Sequence, residues 1–191
     1  MLQNRLTDEQ LLQIGKFKAK EKFTAPKEPR EQAEAKAYLT QDDKKPYVPA
    51  ESLMACLIEA GKFIRLDKKR QMSTAKGTLL PGFLSVEEFY LPLIDPKTNK
   101  SAAWEVDMRA GRNPNGGEAV CIVRPRYDSW SFTFTALLDT EQLDEKVYRN
   151  LVDIAGSNMG LGDFRPQRKG IYGRFKVTSW KRLESYSSAA Q

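Results

Sequence analysis

Residues 160–177, GLGDFRPQRKGIYGRFKV, set four glycines and five basic residues beside a single acid. Glycine takes positive φ without strain and leaves backbone N–H groups open to close approach, so Gly160, Gly162 and Gly173 could help cradle a phosphate. Arg165, Arg168, Lys169 and Arg174 would surround that backbone with permanent charge, and each guanidinium is a planar fork matched to phosphate oxygens. A helix C-cap followed by turns with solvated cations explains the same composition equally well. Neither GxGxxG after a strand nor GxxxxGK[ST] occurs, which disfavours a Rossmann or P-loop enzyme.

A second constellation is RPRYDSW at residues 124–130, preceded by Arg109 and Arg112 in MRAGR. Arg124, Arg126 and Tyr127 have the chemistry of a single-strand platform, in which cations track phosphates and aromatic faces stack bases. Phe132 and Phe134 are better read as core. A third stretch, RLDKKRQMSTAKG at residues 65–77, is basic and aperiodic. It reads as part of an exposed, mobile loop over residues 65–82.

Candidates for covalent or acid–base chemistry are thin. The chain has no histidine and two cysteines, which removes the commonest general base and argues against a structural zinc site. Cys56 and Cys121 lie among apolar neighbours and are expected in the core. Asp107 and Asp163 each lie near arginines, a setting more often structural than catalytic. The expectation is therefore a non-enzymatic protein with no catalytic residue, metal or cofactor, although a carboxylate-based, metal-dependent nuclease remains the third possibility.

The net charge of +6 is concentrated, because residues 160–182 carry seven basic side chains and one acid. That distribution suits a polyanionic partner. No apolar run reaches the length of a bilayer span and the first residues lack a signal-peptide core, so the expected setting is the cytoplasm, without membrane attachment. At 191 residues the chain is expected to form a single domain, with residues 183–191 as a disordered tail.

These residues need elements to position them. Alternation of Phe17 and Ala19 with Lys16, Lys18 and Lys20 predicts a half-exposed strand within residues 11–25. A short helix is expected over residues 30–39. Pro49, Glu51 and the apolar series Leu53, Cys56, Leu57, Ala60 and Phe63 or Ile64 predict a helix. Strands are expected in residues 83–94, 102–112, 118–127 and 129–139, with a turn at residues 113–117. Thr140 is the expected N-cap of a second amphipathic helix on Leu143, Val147, Leu151 and Ile154 or Ala155, closed by Gly156. A last strand follows in GRFKVTSW. This order describes an α+β, ferredoxin-like (RRM-like) antiparallel sheet with two main helices, insertions, and the glycine-rich loop before the last strand.

The PAESL entry at residues 49–53, and the pattern Gly160, Gly162, Arg165, Pro166, Gly170, Gly173, Arg174 and Phe175 before a final strand, resemble the RAMP superfamily. That superfamily includes the repeated backbone subunits of CRISPR effector complexes. The tracts YVPAESLMACLIEAGKFI, RPRYDSWSFTFT and GLGDFRP with YGRFKV also resemble uncharacterised proteins of bacteriophages and integrated elements, over residues 11–180. The resemblance implies a modified ferredoxin-like fold that binds single-stranded nucleic acid, RNA or DNA, in a bacterial host cell. It leaves open self-association, a phage assembly role, or an inhibitor that imitates a backbone subunit and engages a host protein complex.

Overall fold

The computed structural model describes residues 1–7, 10–11, 14, 28–112, 117 and 119–183. The strand expected within residues 11–25, most of the turn at residues 113–117 and the tail beyond Leu183 lie outside the described residues.

The architecture is mixed α+β with small antiparallel sheets. In order the chain forms α1 (Pro29–Ala35), β1 (Tyr47–Pro49), α2 (Ala50–Ala60), β2 (Leu84–Val86), β3 (Tyr90–Pro92), β4 (Glu105–Arg112), β5 (Ala119–Arg126), β6 (Ala136–Leu138) and α3 (Glu145–Ile154). Strands pair as β1 with β3, β2 with β6 and β4 with β5. In the long β4–β5 hairpin Asp107 lies opposite Arg124 and Arg109 opposite Ile122. Direct partners share a face, so Glu105, Asp107, Arg109, Arg124 and Arg126 all project to one side. Residues 1–3 add a short extended segment: Gln3 N–H donates to Pro125 O and Asp163 N–H to Leu2 O, bridging β5 to the glycine-rich loop.

The helices follow their apolar periodicity. In α2, Leu53, Cys56, Leu57 and Ala60 are buried, and of the two expected continuations Ile64 enters the core while Phe63 is exposed. In α3, Tyr148, Leu151 and Val152 are buried. Its N-cap is Asp144, whose carboxylate accepts from Lys146 N–H at 2.7 Å, four positions later than expected. Residues 139–143 are instead held in a turn headed by Asp139, which accepts from Gln142 and Leu143 N–H through its carbonyl. Nor does Gly156 close the helix. The chain widens into a π turn over Ala155–Met159 and ends at Gly160, φ +73°.

The expected last strand, residues 173–180, joins no sheet. Phe175 N–H donates to Gly156 O, and Trp180 packs on Tyr148 with ring centres 5.3 Å apart while donating to Glu145. This segment runs along α3 because its aromatic side chains find their apolar contacts there. The loop over residues 65–82, expected to be exposed, puts Met72 and Leu80 into the core. Its bridges Arg65–Gln71 and Ser73–Thr78 fold it back on itself.

Candidate nucleic-acid interface

The glycine-rich loop leaves the π turn, crosses the charged face of the β4–β5 hairpin and returns to α3. Leu161 N–H donates to Gly173 O, Gly170 N–H to Arg165 O and Tyr172 N–H to Phe164 O, so the two arms are laced together. Its glycines are used inside the protein. Gly162 has φ +77° and a Cβ there would overlap the Leu2 carbonyl; Gly173 has φ +74° and a Cβ would overlap the Leu161 carbonyl. Glycine is needed at both positions for left-handed backbone and close chain approach, which gives it a structural reason independent of any ligand.

The arginines divide into two groups. Arg109 donates to Asp107 through Nε at 2.7 Å and Nη2 at 2.9 Å. Arg126 donates to Asp128 at 2.8 Å and to Glu105 at 2.9 Å. Arg124 pairs with Asp163, off the axis of a hydrogen bond, and its Nε is buried without a hydrogen-bond partner among the described residues. The neighbouring carboxylates raise Arg109 and Arg126 above the ordinary guanidinium value, through hydrogen bonds to Asp107 and Asp128 respectively. Three expected phosphate contacts are thus already neutralised by carboxylates. Asp107 and Asp163 are correspondingly tied into ion pairs, and among the described residues no three metal-ligating side chains gather.

Arg165 is also engaged, donating to Gly162 O at 2.7 Å and to Gln167, which donates in turn to Glu59 at 2.6 Å. Arg168, Lys169 and Arg174 are exposed, and no described carboxylate pairs with them. Arg168 ends the short 3-10 turn Pro166–Arg168, and Lys169 follows it in left-handed conformation at φ +60°. Arg112 lies on the opposite face of the hairpin from Arg109 by strand alternation. It is not brought to the loop.

Two expectations are corrected. Tyr127 is fully buried and its hydroxyl lies 3.3 Å from Gln3 Oε1, so the ring is a core element with no face for a base; burial raises its phenol above the ordinary value. Cys121 is exposed on β5 whereas Cys56 is buried. Cys121 sits opposite Ala110, two residues along β5 from the buried Val123, where the hairpin has already run out past the core.

An aromatic platform stands where the motifs in the sequence suggested none. The Arg109 guanidinium lies 4.6 Å from the Tyr172 ring centre and 5.6 Å from that of Phe164, and it also donates to the Tyr172 hydroxyl. Phe164 is 41% exposed and Ile171 is 73% exposed, with Arg168 and Lys169 between them in sequence. Phe164 takes φ +49°, an uncommon backbone state for an aromatic residue. The signal for these rings was present: Phe164 and Tyr172 each sit within three residues of a glycine in the most basic segment. The arrangement supplies a stacking surface bordered by unneutralised cations.

A cavity of about 310 Å³ opens beside the same loop, lined by Asn4, Tyr38, Pro49, Ser52, Leu161 and Arg165 among others. Among the described residues no helix is long and apolar enough to cross a membrane. No protein-family model matches the chain, and no curated protein matches it.

Proposed function

We propose that this chain binds single-stranded nucleic acid, RNA or DNA, without catalysing its cleavage. The observation that carries the reading is the Phe164–Arg109–Tyr172 cluster, its two rings tilted 45° to each other beside the guanidinium, with exposed Arg168 and Lys169 on the same loop. Bases stack on the rings, and the free cations, joined by Arg174, follow the phosphates. The RAMP resemblance and its ferredoxin-like topology belong to this reading, as does origin in a phage or mobile element. Compatible with that topology are the antiparallel strand pairing, the packing of α2 against α3, and a glycine-rich loop directly after the second of these helices.

Fluorescence anisotropy with labelled single-stranded DNA and RNA tests the proposal. Binding is expected at about 50 mM salt and should weaken steeply by about 200 mM, because affinity comes from counterion release. Replacing Arg168 and Lys169 together by alanine should weaken binding and flatten that salt dependence. No binding at the lower salt sinks the assignment.

A specific observation also favours a protein partner. Phe89 and Tyr90 are 77% and 60% exposed, and the Tyr90 ring packs edge-on against Tyr47, 4.7 Å between centres. Large exposed aromatic surface is the mark of a docking site, as expected of an inhibitor that imitates a CRISPR backbone subunit or of a phage assembly component. A nuclease-resistant complex with a host protein, lost in Phe89→Ala with Tyr90→Ala, distinguishes this reading.

A further inference from the structure

We propose that the cavity between α2, the first residues and the glycine-rich loop accepts one nucleobase of the bound strand and makes binding base-selective. This rests on the single-strand reading above and adds a site to it. The cavity, about 310 Å³, is large enough for a base and part of its sugar and too small for a folded partner. Val48, Pro49 and Leu161 give it apolar walls, and Tyr38 adds an aromatic ring.

Its polar groups suit a neutral edge better than a free anion. Asn4 is exposed and Ser52 half-buried, and neither side chain has a hydrogen-bond partner among the described residues. An amide and a hydroxyl together offer donors and acceptors, which is what the mixed edge of a base requires. The neighbouring Gln3 is buried and already used: it donates to Tyr47 O at 2.7 Å and accepts from Tyr38 N–H at 2.8 Å, holding that wall in place. The charged groups are spoken for as well. Asp163 pairs with Arg124, and Arg165 donates to Gly162 O and Gln167. A phosphate would meet a carboxylate and few free donors there.

Continuity with the platform supports the same occupant. Asp163 and Arg165 line the cavity, and Phe164 between them carries the exposed ring. One strand can therefore stack a base on Phe164 and pass a neighbouring base over the loop into the cavity, with Arg168 and Lys169 outside.

The test is anisotropy with oligo(dA), oligo(dC) and oligo(dT) of equal length, using the wild-type chain and Ala55→Trp. Ala55 lines the cavity from the exposed side of α2, so tryptophan fills the space without entering the core, and an unchanged melting temperature verifies the fold. The wild type should separate the oligomers by about 5-fold or more, as hydrogen-bonded base readout does, and Ala55→Trp should bind all three alike while keeping the salt dependence. Asn4→Ala should narrow the separation. Equal binding of all three by the wild type, or an undiminished separation in Ala55→Trp, overturns the pocket and leaves the single-strand reading standing. Failure to bind any oligomer overturns both.

Discussion

Arg109 holds its guanidinium 4.6 Å from the centre of the Tyr172 ring while donating two hydrogen bonds to Asp107. One side chain thereby fastens the glycine-rich loop to the β4–β5 hairpin and keeps two rings in place. Phe164→Ala should lower affinity for single strands by roughly 1–3 kcal/mol, about 5- to 150-fold, the loss of one stacked base. Arg109→Lys keeps the charge but loses the planar fork and the stack. It should weaken binding nearly as much as Phe164→Ala, whereas a purely electrostatic role for Arg109 would leave binding intact.

Glycines in the loop should be intolerant of a methyl group even in the absence of ligand. Gly162→Ala and Gly173→Ala each impose left-handed backbone on alanine and push Cβ into a carbonyl, costing about 1–3 kcal/mol or more. At Gly77 a Cβ would meet no atom within 4 Å, and its φ is ordinary, so Gly77→Ala should be neutral or mildly stabilising. Thermal melting of the three variants checks the contrast.

The two thiols should react differently. Cys56 donates weakly to Gly160 O at 3.3 Å, and burial pushes its thiol up to about 12. Cys121 is exposed. The thiolate is the reactive form and needs access, so an alkylating reagent should modify Cys121 alone in the native protein and both cysteines in denaturant. Mass spectrometry of the labelled peptides reads the result.

Stability should rise with pH between about 6 and 8. The Met1 ammonium donates to Tyr127 O at 2.6 Å, and burial lowers its pKa from 8.0 to about 6. Below about pH 6 both folded and unfolded chains hold the proton and the burial penalty is felt in full. Between about 6 and 8 the unfolded chain binds more protons, so unfolding free energy climbs by about 2–3 kcal/mol and then levels. With no histidine in the chain, few other groups titrate in that window. Urea unfolding across it should show the climb, and Nα-acetylated protein should not.

Helix faces were legible because their spacing is local: Leu53, Cys56, Leu57 and Ala60 recur at helical intervals and are buried. The beginning and end of α3 were less so. Asp139 captures the turn where Thr140 was expected to cap, and Gly156 is absorbed into a π turn, where the Phe175 carbonyl leaves no room for a Cβ. Tyr127 looked like part of a basic surface motif. Its burial depends on residues 1–3, more than a hundred positions away, whose pairing with β5 covers it.

Composition and spacing by themselves determined that this chain carries a basic, glycine-rich loop after an amphipathic helix, and that histidine chemistry is absent from it. Those properties follow from residue type and short-range order. Only the tertiary structure decided which cations stay free. Arg124 meets Asp163 of the loop, Arg126 meets Glu105 across the hairpin and Arg109 turns back on Asp107 of its own strand, while Arg168, Lys169 and Arg174 meet none among the described residues. Charge is written in the sequence, but its neutralisation depends on distances that only folding sets.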